Sequence, residues 1–175
     1  VLSLKTVRRE NGIMYFSAFS LAGYEIILLL VLQLTIGNMY QVTGLIIAGL
    51  MSGLAIGSGM DIRVFKNRPV VIKVFLLIVI YAIIGISVER IMALDGQFIV
   101  VGLLILSGFF PAVITGSFFQ DLTSARISNS NPSGVYSSDL AGSAMGFILF
   151  SGLAVPLLGI TLSIFLLPVL IFTGF

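Results

Sequence analysis

The chain has 175 residues, 58% of them hydrophobic and only 9% charged, with a mean hydropathy of +1.19 and a formal net charge of +2. Soluble domains carry about a quarter charged residues, so this composition excludes a soluble globular domain and predicts an all-α, polytopic integral membrane protein. Cysteine and histidine are absent, which argues against disulfides, thiolate nucleophiles, His-ligated haem and most zinc or copper sites; no cofactor and no metal is expected.

The opening residues, VLSLKTVRRE, are basic and too polar for the core of a signal peptide. They predict a cytoplasmic segment over 1–12, ahead of a membrane domain over 13–175. The chain begins without Met and stops inside the apolar run IFTGF, so a piece of a longer protein, or a processed product, is expected. Six apolar segments follow, over 13–36, 39–60, 70–88, 97–119, 134–157 and 159–175. Each is near the roughly 20 residues needed to span the hydrocarbon. None shows the alternation of barrel strands, so all are read as helices that satisfy their own backbone.

The first segment contains Glu25, which a rise of about 1.5 Å per residue puts roughly 18 Å into its span. The second carries Gly49, Gly53 and Gly57 at four-residue spacing. Such a stripe lets another backbone approach closely, either for packing alone or as a sliding surface. The loop that follows holds Asp61, Arg63, Lys66 and Arg68. Lys73, just inside the third segment, is expected to snorkel back to that loop. Pro111 interrupts the fourth segment and predicts a kink. QDLTSARISNSNPS reads as a polar connector. The fifth segment repeats the small-residue device with Gly142 and Gly146 and adds a second intramembrane acid, Asp139. Pro156 and Gly159 predict a tight turn before the sixth.

An ion at mid-membrane costs on the order of 3 kcal/mol. Glu25 and Asp139 are therefore expected to face the interior, to be protonated or to have partners, with Ser17, Ser20, Tyr24, Tyr136 and Ser137 as candidates. Two readings stand: a proton or cation relay, including a site for an amine, and an interhelical hydrogen-bond clasp. Six crossings place eight of the nine basic residues on one side. This predicts cytoplasmic N- and C-termini in the inner membrane, with anionic lipid headgroups against the basic loops. The loops lack the interleaved aromatics of a nucleic-acid surface, so nucleic acid is not an expected partner. No phosphate-binding loop or nucleophile–base pair is recognisable, so no catalytic residue is assigned.

Taken together, FSAFSLAGYEIILLLVLQLTIGN, GLMSGLAIGSGMDIR, GFFPAVITG and GVYSSDLAGSAMGFILFSGLAVPLLGI resemble the membrane domain of bacterial spermidine-synthase-like proteins. That domain is itself similar to half of a major facilitator transporter. The resemblance covers about residues 14–160 and is carried chiefly by Tyr24 with Glu25, by 53–57, and by Tyr136 with Asp139, Gly142 and Gly146. Gly57, Asp61, Arg63, Lys66 and Arg68 follow the order of the facilitator loop signature, departing from it at VFKN. The resemblance implies a six-helix, half-facilitator bundle that is transporter-like or anchors a partner, beside another membrane half or other subunits. Two alternatives stand beside it: a non-transporting subunit of a larger complex, for example an electron-transfer complex, and the membrane part of an aminopropyltransferase whose catalytic domain lies outside these residues.

Overall fold

The computed structural model describes residues 2–37, 40–59, 70–94, 96–123 and 132–174, with side chains from Asn11 onward. All regular structure among them is helical: α1 (Leu2–Thr35), α2 (Tyr40–Gly59), α3 (Val70–Met92), α4 (Gln97–Thr123), α5 (Pro132–Leu149), a short π-helical turn (Phe150–Ala154) and α6 (Val155–Gly174). Five stretches are long and apolar enough to cross a membrane. The last of these runs over 43 residues, Pro132–Gly174. A straight helix of that length would measure about 65 Å, twice the roughly 30 Å hydrocarbon core.

That stretch is not straight. Gly159 has φ 77° and ψ 177°, a conformation essentially reserved for glycine, and it reverses the chain. Phe150 packs on Gly23, whereas Gly174 packs against Phe16, close to where Gly142 meets Tyr15. The expected turn therefore exists, but as one residue within an otherwise helical run. Pro156 lies inside the helix rather than in a loop. Two other boundaries differ from expectation. Helix α1 starts at Leu2, and α4 runs on to Thr123, which brings Asp121 from the expected connector into the last turn of a helix. The α4 helix also continues through Pro111.

Glycines set the packing. On α2, Gly49, Gly53 and Gly57 lie against Ile105, Phe109 and Val113 of α4; on α5, Gly142 and Gly146 lie against Tyr15 and Phe19 of α1. At Gly57 and Gly142 the facing atoms are backbone carbonyls, so these helices touch main chain to main chain, the approach that small residues permit in lipid. Both small-residue stripes expected from sequence therefore pack within the chain.

The two halves use one arrangement. Phe19 and Ala22 of α1 stand to Gly146 as Phe109 and Ala112 of α4 stand to Gly53. One turn further on, large and small exchange sides between the halves: Phe150, at the start of the π-helical turn after α5, fills the space over Gly23, while Val113 of α4 lies over Gly57. Helices α1 and α5 consequently run parallel, as do α2 and α4. By contrast α3 and α6 run antiparallel, with Gly85 against Ile164 and Phe165, and the Thr161 hydroxyl donating to the Glu89 carboxylate at 3.2 Å. The core lies along α1 and α4, where Tyr24, Ile27, Leu32, Leu104, Ala112 and Phe118 are at most 1% exposed.

Candidate functional site

The parallel pairs α1/α5 and α2/α4 leave a cleft of about 470 Å³ between them, lined by residues of all four helices. Its walls are mostly apolar, with Met14, Leu54, Phe119 and Phe147 among them. Glu25 enters from α1; Asp139, Tyr136 and Ser143 enter from α5. No Lys or Arg lines it among the described residues. A single cleft thus gathers both intramembrane acids picked out by sequence, although they come from segments more than a hundred residues apart.

Register shows what the acids can do. Because Gly142 meets Tyr15 and Phe150 meets Gly23, Asp139 lies level with the turn before Tyr15, and Glu25 level with the π-helical turn. About thirteen residues of register separate them, or roughly 20 Å along the helix axis. The two carboxylates stand too far apart to share a proton or a cation. They mark opposite ends of the cleft.

Neither acid is clasped. Among the described residues, Glu25 and Asp139 have no hydrogen bond or ion pair. The hydroxyls expected to serve them are used elsewhere: Ser20 donates to the Phe16 carbonyl at 2.8 Å and Ser137 to the Gly134 carbonyl at 3.0 Å. These bonds to the preceding turn are the usual way a helix in lipid satisfies a hydroxyl internally. Tyr24 turns to the opposite side of α1, fully buried against Tyr81 with ring centroids 5.2 Å apart. The expected relay group therefore divides. Glu25, Asp139 and Tyr136 share the cleft, while Tyr24 and Ser20 belong to the core.

The structure also holds a charge pair that sequence reasoning missed. Lys73 does not snorkel: its side chain is 1% exposed, and its Nζ donates to Asp121 Oδ2 at 2.5 Å. A signal was present in the topology. Helix α3 ends at Met92 and α4 starts at Gln97, and the two are of similar length, so the first turn of one and the last turn of the other are expected to lie side by side. Asp61, Arg63, Lys66 and Arg68 of the expected signature loop lie outside the described residues. No group of three or more His, Cys, Asp or Glu side chains suited to holding a metal occurs among the described residues. Comparisons with protein-family models, curated proteins and solved structures each return no match.

Proposed function

We propose that the chain is a transporter-like membrane module that passes a cation or polyamine along the cleft between α1, α2, α4 and α5. In this reading the chain crosses the membrane six times, Gly159 separating the last two crossings. It is a half-facilitator bundle of the spermidine-synthase-associated kind, lodged in the inner membrane with both termini cytoplasmic and basic loops on anionic headgroups. The cleft carries the reading. Two carboxylates without counter-ions among the described residues, set in apolar walls, are costly in a membrane, and their placement at opposite ends suits successive stations for a positive charge. Aromatic walls at Phe119, Tyr136 and Phe147 add faces on which an ammonium group can rest.

The test is uptake of radiolabelled spermidine into proteoliposomes holding the wild type, Glu25→Gln or Asp139→Asn. Each substitution is expected to lower initial uptake at least tenfold. Wild-type uptake no faster than empty vesicles, or variants equal to wild type, would remove the transport reading.

A second reading, that the module anchors a partner subunit, rests on its outward surface. Helices α3 and α6 expose bulky groups such as Phe75, Ile83, Ile86, Leu162, Phe165 and Phe172, the usual covering toward lipid. On α2 and α5 exposed bulky groups such as Leu45, Met51, Leu140 and Ile148 are interspersed with small ones, Gly44, Ala48, Ser52, Ala141 and Ala144, which leave room for close helix contact. Co-purification of a stoichiometric membrane subunit that Ala48→Leu releases, without any uptake activity, would favour this reading.

A further inference from the structure

Tyr24 of α1 and Tyr81 of α3 are both 0% exposed, and neither hydroxyl has a hydrogen-bond partner. Their rings meet edge to face with centroids 5.2 Å apart. Ser107 of α4 lies beside the Tyr24 hydroxyl. The Ser107 hydroxyl itself donates to the Leu104 carbonyl at 2.9 Å, which leaves its lone pairs as acceptors. At the same turn Pro111 has no N–H to give the Ser107 carbonyl. Polar groups of three helices thus come together in the core.

A buried hydroxyl left without a partner is destabilising, and here two stand in adjoining rings. Buried polar groups without a protein partner are the usual setting of a bridging water, which typically makes about three hydrogen bonds to such groups.

We infer that Tyr24, Tyr81 and Ser107 form a hydration site that holds one internal water and ties α3 to the central helices α1 and α4. The water accepts from one tyrosine, donates to the serine oxygen or the freed Ser107 carbonyl, and leaves the second tyrosine a partner. This site lies on the side of α1 opposite Glu25, so it braces the bundle and is independent of what passes along the cleft.

The test is thermal melting in detergent of Tyr24→Phe, Tyr81→Phe, Ser107→Ala and their double variants. Tyrosine to phenylalanine keeps the ring, so the sign of the shift is diagnostic. With a bridging water, each tyrosine variant melts about 2–4 °C lower, the effect of losing one hydrogen bond in a chain of this length. Tyr81→Phe and Ser107→Ala are then non-additive, because the water couples groups that do not touch. Tyrosine variants melting at or above the wild type would show that the hydroxyls are unsatisfied and overturn the site. Additivity of Tyr81→Phe with Ser107→Ala would do the same, by leaving nothing that joins them.

Discussion

Replacing Asp121 with leucine removes the carboxylate to which the buried Lys73 ammonium group donates. Lys73 is 1% exposed, whereas Asp121 is 32% exposed, and their 2.5 Å contact joins the first turn of α3 to the last turn of α4. Removing one member of a buried pair costs about 3–5 kcal/mol. The lower end applies here, because Asp121 already reaches solvent and its charge is partly screened. About 3 kcal/mol corresponds to a fall in melting temperature of roughly 6–12 °C for a chain of this size. Lys73→Met is expected to cost less, about 1–2 kcal/mol, since the remaining carboxylate can hydrate. The double variant replaces the pair with apolar groups and is expected within about 1 kcal/mol of the wild type. Circular dichroism melts in detergent measure all three. Additive single effects, or an Asp121→Leu shift below about 2 °C, would refute the view that this pair is a coupled, buried contact.

Two further substitutions probe the backbone. Gly159→Ala forces a Cβ into a conformation that L side chains avoid, at a cost of about 1–3 kcal/mol, while Gly44→Ala, with open space around it in mid-helix, is expected to stabilise by up to about 1 kcal/mol; equal effects on melting would contradict the reversal at Gly159. At Gly142 a methyl group would meet the Tyr15 carbonyl oxygen, which cannot step aside. Gly142→Ala is therefore expected to lose about 1–3 kcal/mol and to part α1 from α5, seen as a weaker cross-link between cysteines placed on the two helices.

Much of the architecture was legible because lipid enforces it. Apolar runs near twenty residues long must be helices, and their order and approximate limits follow from composition. Gly53 and Gly146 announced close contacts, but their spacing could not say which helices would meet, since α2 finds α4 and α5 finds α1 across long stretches of chain. Gly159 was readable as a turn, yet the π-helical turn before it was not. It lies where Phe150 packs into the space over Gly23, a fit between distant residues. Sequence singled out both acids and left a relay and a clasp open; the structure places them in one cleft without a bond between them. Sequence gives depth along each helix but not the register between helices, and register decides whether Glu25 and Asp139 touch. Asp121 was assigned to a loop because its neighbours are polar, which concealed its contact with Lys73.

The account turns on whether the cleft holding Glu25 and Asp139 is open to water in the membrane. The chain has no native cysteine, so single substitutions can be labelled cleanly. Leu54→Cys and Ser143→Cys place a thiol on the cleft wall, whereas Leu162→Cys places one on the outward face of α6, at a position 58% exposed. With a charged, membrane-impermeant thiol reagent on reconstituted protein, both cleft cysteines are expected to label and the α6 cysteine to stay unreacted. Cleft cysteines as inert as the α6 control would mean that lipid or protein fills the cleft, and would contradict the proposed path.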